Sequence, residues 1–274
     1  MLGIGNTLVS INPGALPDVF GNDRGGSVIF DGTDDYIDYG QLTRTQLTSL
    51  ESSGTLAVWF HIDGDSAGSS VQLNVGRTTD DYVALWWHNY FNEPRATIKG
   101  GGTGKGSNPN NGVFGTGTNN GTSNYITAAG WYFHAMTYVN SSEGYVKHHG
   151  ENLSGTLITT TLNLTAALDM DLSDATVWVG ARNNAGAVST DFEGLVSYAA
   201  IWDTALDSDA ITALYNSGTP IDATKNSGDY DNSANLIFFD NMQTGRGETS
   251  YVITGPNNGT LNNNATWSAV DPTD

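Results

Sequence analysis

Four carboxylates, Asp31, Asp34, Asp35 and Asp38, fall within eight residues and form the densest acidic group of the chain. A hard cation takes several oxygen ligands. This group, joined by Asp240 from the far end of the chain, is therefore the candidate calcium site. The alternative is that they are turn residues whose side chains accept nearby backbone N–H groups. Their spacing is not that of a helix-loop-helix calcium loop. A second group is aromatic. Trp86, Trp87 and Tyr90 stand in YVALWWHNYF (82–91), followed by Asn92. On a strand Trp86 and Trp87 point to opposite faces, so at most one is core. A ring left on a sheet face fits the C–H face of a pyranose. The alternative is a second apolar layer beneath the loop that follows. That loop, residues 100–121, is rich in Gly and Asn and cannot pack a core. Its Asn110 and Asn111 offer amides to the rim of a sugar site, or to another subunit. Lys105-Gly106-Ser107 lacks the strand-to-helix context of a phosphate loop.

Charge narrows the partners. The chain has 274 residues, a net charge of −19, and only 14% charged residues. Phosphate contacts need clustered Lys and Arg, so no nucleic-acid partner is expected. No apolar run approaches the roughly 20 residues that span a bilayer, so no membrane insertion is expected. There is no cysteine, and hence no disulfide framework or thiol nucleophile. The patterns Gly-x-Ser-x-Gly and His-Glu-x-x-His do not occur.

The elements that must position these groups read as strands. Alternation of Leu56, Val58 and Phe60 with Ala57 and Trp59 gives a strand covered on both faces. Asp31-Gly32 marks a tight turn between two short strands over 27–40. The chain is organised around Asp191–Gly218, one buried strand followed by one short helix. Asp207 is the expected N-cap. Ile211, Leu214 and Tyr215 form one apolar stripe. Gly218 is expected to close the helix in a left-handed cap. Residues 222–234 read as a polar linker.

That stretch also carries a resemblance. Phe192, Gly194, Ile201, Trp202, Ala205, Leu206, Ile211, Leu214, Tyr215 and Gly218 fill a pattern that closes many laminin G-like, concanavalin A-like domains. SVIFDGTDDYIDYG (27–40), TLAVWFHI (55–62), GWYFHAMTYV (130–139), GYVKHHGENLSG (144–155) and TVWVGAR (176–182) resemble the same family in order. The chain departs at Lys147, His148 and His149, where relatives usually carry Tyr and Asp. A closing segment with LIFFD, Asn258-Gly259-Thr260-Leu261 and Ala265-Thr266-Trp267-Ser268 resembles a second signature of these proteins. The N-terminus resembles the openings of structural proteins from tailed bacteriophages of marine bacteria.

The resemblance implies an all-β fold: a two-sheet antiparallel jelly-roll sandwich with one short helix near 208–216. Residues 1–25 are expected as an extended arm. Residues 26–274 are expected as one sandwich, with 235–270 adding strands back to it. The family hosts lectins, glycosidases, lyases and adhesive modules. Glycosidases of this fold carry two carboxylates on one strand, flanking the scissile bond. The six glutamates, Glu51, Glu93, Glu143, Glu151, Glu193 and Glu248, do not show that spacing. Lyases need a Tyr, His, Arg and Gln set; His134, His148, Tyr138 and Arg95 are candidates that no motif ties together. The expectation is a non-catalytic module binding a cell-surface or extracellular glycan, with calcium as cofactor, on a virion surface or otherwise extracellular. The alternatives are a structural protein contacting other virion subunits, a homo-oligomer among them, and a glycan-degrading enzyme.

Overall fold

The computed structural model describes residues 26–63, 69–88, 93–106, 128–151, 155–255 and 257–272. The expected arm over 1–25, and Tyr90, Asn92, Asn110 and Asn111, lie outside the described residues.

In chain order the strands are β1 (Ser27–Asp31), β2 (Tyr36–Gln41), β3 (Ser53–Ile62), β4 (Ser69–Gly76), β5 (Tyr82–His88), β6 (Glu93–Gly100), β7 (Thr103–Gly106), β8 (Gly130–Val139), β9 (Tyr145–Glu151) and β10 (Leu157–Asn163). They continue as β11 (Thr176–Val179), β12 (Arg182–Asn184), β13 (Ala187–Ser189), β14 (Glu193–Trp202), β15 (Leu236–Asp240), β16 (Gly245–Arg246), β17 (Thr249–Ser250), β18 (Gly259–Asn262) and β19 (Thr266–Ser268). Two helices, α1 (Arg44–Ser52) and α2 (Ser208–Tyr215), interrupt them.

The strands build two antiparallel sheets. One has eight strands in the order β10-β9-β8-β3-β14-β1-β19, with β15 also on β14. The other has nine, β16-β17-β18-β2-β11-β4-β5-β6-β7. The hairpin β12–β13 stands apart. Strand β14 is the hub. On one side it pairs with β3 from Leu195 to Trp202, with a break between Ser197 and Ala200. On the other, Glu193 to Val196 pair with β1 and Ala199 to Trp202 pair with β15. The change of partner falls at a bulge, where Tyr198 adopts φ 48°. A bulge inserts a residue and re-aims the strand.

Alternation assigns the faces. Leu56, Val58, Phe60 and Ile62 of β3 enter the core between the sheets, with Tyr132, Met136 and Tyr138 of β8. Ala57, Trp59, Phe133 and Ala135 face the opposite way, onto a second cluster beneath α2. Asp207 caps α2 by accepting from the Ala210 N–H at 2.8 Å. The helix then buries Ala210, Ile211, Leu214 and Tyr215. The left-handed turn comes earlier than Gly218. Asn216 is the C-cap at φ 43°, and Gly218 follows at φ 94°. An asparagine tolerates that conformation better than most residues.

Two features depart from the sequence reading. The helix α1 is additional; Thr43 and Gln46 form a reciprocal capping box at its start. The segment read as a polar linker contains Tyr230, wholly buried against Trp202, whose Nε1–H donates to the Tyr230 hydroxyl at 2.8 Å.

The closing residues return to both sheets. β18 pairs with β2, β19 with β1 and β15 with β14.

Candidate functional site: the acidic turn and the aromatic face beside it

The turn between β1 and β2 is held from inside. Asp35 is buried, and its two carboxylate oxygens accept from the backbone N–H groups of Asp31, at 2.9 Å, and Asn264, at 2.7 Å. Asp31 accepts from the Thr33 N–H at 2.8 Å. The Asn263 side chain donates to the Asp34 carbonyl at 2.5 Å. The turn before β19 thus clamps the turn before β2. One oxygen from each of Asp31, Asp34 and Asp35 lies within 4.8 Å of the other two.

Three carboxylates this close repel one another. Burial pushes the Asp35 carboxyl up from its ordinary range, against the two N–H groups that lower it, and the charges of Asp31 and Asp34 push it further. Asp191, just before β14, belongs to the same field. Burial pushes its carboxyl up first, and the charges of Asp34, Asp31 and Asp35 add to this. Its Oδ1 is buried with no hydrogen-bond partner among the described residues. An all-oxygen donor set with excess negative charge fits a hard cation.

The other two residues expected with them lie elsewhere. Asp38 sits on the outer face of the nine-stranded sheet, opposite Trp178 and Thr260, and accepts from the Gly40 N–H at 2.7 Å. Asp240 is a correction. It is wholly buried and committed to three donors: the Tyr39 hydroxyl at 2.8 Å, the Met242 N–H at 2.8 Å and the Ser250 hydroxyl at 2.5 Å. Its role is to tie the closing segment to β2.

The outer face of the nine-stranded sheet carries the aromatic groups. Tyr36 stacks on Trp178, ring centroids 4.0 Å apart and planes 20° apart. Trp178 is buried by this contact while Tyr36 stays half-exposed. Asn262 stands directly across from Tyr36 on β18. Burial, then the charges of Asp38 and Asp34, pushes the Tyr36 hydroxyl up, so it remains a neutral donor. Further along the same face, Trp86 packs on Tyr82 with centroids 6.0 Å apart. The Arg182 guanidinium lies 5.4 Å from both rings, within cation–π range.

Trp87 is the other correction. It points inward, has no exposure, and packs against Phe60 in the core. The lyase-type candidates are also internal. His134, His148 and Tyr138 have no exposure, and Arg95 has 5%.

The sequence reading named the acidic turn and Trp86; the structure sets Tyr36, Asn262 and Asp191, which it did not name among the site residues, beside that turn. The signal for Tyr36 was available, since it alternates with Ile37 on a strand whose other face is core. Its stacking on Trp178 was not, because that partner lies on a strand far along the chain.

No protein-family model and no curated protein sequence matches the chain. Its fold is similar to solved structures. A candidate carbohydrate-binding protein from Bacteroides ovatus aligns at 13% identity and a TM-score of 0.55, over 91% of this chain and 61% of that one. The CBM40 module of Ruminococcus gnavus IT-sialidase, solved with α2,3-sialyllactose, aligns at 15% identity and a TM-score of 0.47, over 72% of this chain and all of the module. A heptameric SAP-like pentraxin from Limulus polyphemus aligns at 13% identity and a TM-score of 0.46, over 69% of this chain and 80% of that one. The chain spans about three-fifths of the first of these proteins. At such identities the likeness is one of fold: an antiparallel β-sandwich.

Proposed function

We propose that this chain is a non-catalytic glycan-binding module. The observation that carries the reading is the half-exposed Tyr36 ring, held flat on Trp178 and flanked by Asn262, Asp34 and Asp38. A rigid ring loses little entropy on binding, and neighbouring carboxylates and amides can accept and donate to sugar hydroxyls. The Bacteroides protein of similar fold, a candidate carbohydrate-binding protein, supports the same reading. Calcium is proposed at Asp31, Asp34 and Asp35, with Asp191 behind them. There it would neutralise the turn and fix Tyr36, the residue immediately following.

A glycan array on the parent chain in calcium, followed by calorimetry on the best ligand, tests this. Tyr36→Ala is expected to lower affinity at least about tenfold, as loss of an aromatic contact of ~1.5 kcal/mol would do. An array on which the parent binds nothing, or a Tyr36→Ala chain that binds as tightly as the parent, sinks the reading.

A further inference from the structure

Strand β10 ends the eight-stranded sheet, and among the described residues no strand pairs with its outer edge. Its sequence is Leu157-Ile158-Thr159-Thr160-Thr161-Leu162-Asn163. Exposed edges are usually blunted by charge, proline or a bulge, because their free N–H and C=O groups template another strand. This edge has none of those devices. Its pairing with β9 runs over seven consecutive residues without a register shift. It carries no charge in a chain of net charge −19.

The strand is also nearly symmetric about its centre. Reading outward from Thr160, the flanking pairs are Thr159 and Thr161, Ile158 and Leu162, Leu157 and Asn163. The faces agree. Ile158, Thr160 and Leu162 lie across from Gly150, His148 and Val146, on the side between the sheets, yet stay half-buried. Thr159, Thr161 and Asn163 are exposed on the other side. A second copy turned by a two-fold axis would set Ile158 against Leu162 and threonine against threonine. Such an isologous contact needs a self-complementary patch, and cross-strand aliphatic and Thr–Thr pairs are favourable.

We propose that two copies of this chain pair antiparallel through β10, about a two-fold axis at Thr160. The two eight-stranded sheets then become one continuous sheet. The occupant is a second copy because the strand matches itself and β10 places no charged side chain of its own at the seam. Two glycan sites carried on one body would act by avidity, but the pairing itself does not depend on that reading.

Light scattering of the parent chain across a dilution series is the first measurement. A concentration-dependent species of twice 29.0 kDa is expected. Thr159→Lys with Thr161→Lys places like charges opposite each other twice, on residues exposed in the single copy, and gives up the hydrogen bond between Thr159 and His149. It is expected to give a monomer with an unchanged circular dichroism spectrum. Thr159→Lys with Thr161→Glu places Lys opposite Glu in both pairs and is expected to restore the dimer. The chain has no cysteine, so Thr160→Cys reports on the axis alone. Directly opposed cysteines in paired strands fall within disulfide reach, and a covalent dimer is expected under mild oxidation. A parent that stays monomeric throughout overturns the proposal. So does a dimer that survives the double lysine change, or one that Thr160→Cys does not crosslink.

Discussion

His134 and His148 meet edge to face inside the sandwich, ring centroids 4.6 Å apart and planes at 72°, with neither side chain exposed. The His134 Nδ1–H donates to the Gln72 Oε1 at 2.8 Å, which carries the contact from one sheet to the other. Phe60 packs on the same ring. His149, on the opposite face of β9, is also buried and shares a hydrogen bond with Thr159.

These rings are held neutral. Burial, then the charge of His149, pushes His134 down to about 3. Burial, then Lys147, pushes His149 down to about 4. Burial, then His134, His149 and Arg95, pushes His148 well below its ordinary value. The unfolded chain binds these protons near pH 6.5 while the folded chain does not. Stability is therefore full above pH 6.5 and falls as pH drops toward 4. Each ring contributes a slope of about 1.4 kcal/mol per pH unit in that window. Urea titrations between pH 7 and pH 4.5 check this. His134→Gln is expected to flatten the acid limb, and an equally steep limb in that variant would refute the assignment.

Asp240 is the acceptor for three buried donors, so removing it strands all of them. At about 1–3 kcal/mol for each unsatisfied donor, Asp240→Ala is expected to cost ~3 kcal/mol or more. Tyr39→Phe removes a single donor and is expected to cost ~1–2 kcal/mol. Chemical unfolding measures both. A loss under ~0.5 kcal/mol for Asp240→Ala, within the ordinary scatter of surface substitutions, would show that the network is not holding the closing segment.

Calcium at the acidic turn predicts a linked gain in stability. At about one hundred times the dissociation constant, a bound ion adds ~2.7 kcal/mol. The thermal midpoint of the parent is expected to rise with calcium and to return in chelator. Asp31→Asn with Asp34→Asn is expected to abolish the rise while leaving the turn, which Asp35 holds, intact. If the midpoint of the parent ignores calcium, the metal reading is wrong.

The fold was legible where one residue type answered to one face. Leu56, Val58 and Phe60, with the apolar Ala57 and Trp59 between them, announced a strand covered on both faces. The adjacent Trp86 and Trp87 had to diverge, and they do. The helix at 208–215 was marked by Asp207 and by its stripe of Ile211, Leu214 and Tyr215. What escaped was whatever depends on a distant partner. Asp240 reads as a surface carboxylate until Tyr39 and Ser250 are brought to it. Asp191 looks like a strand-end turn until the β1–β2 turn lies beside it. The α1 capping box, Thr43 with Gln46, was visible but stood next to a weakly apolar segment that did not proclaim a helix. The candidate site shares this limit, since its acidic half is local and its stacked ring is not.

The pairing of Ser27 with Ser268 bears on how the molecule comes into being. The first described strand finds one of its neighbours only after every other described strand has been synthesised. Domains dominated by such distant contacts acquire their structure slowly, because loop closure must precede any reward from pairing. During translation β1 would wait with one flank open, and so would β2, whose neighbour β18 is equally late. Completion of the sandwich is therefore expected to wait until β18 and β19 have emerged from the ribosome, with the nascent chain exposed to aggregation in the interval. A chain cut back to Pro220, just past the helix that looks like an ending, would keep both vacancies permanently.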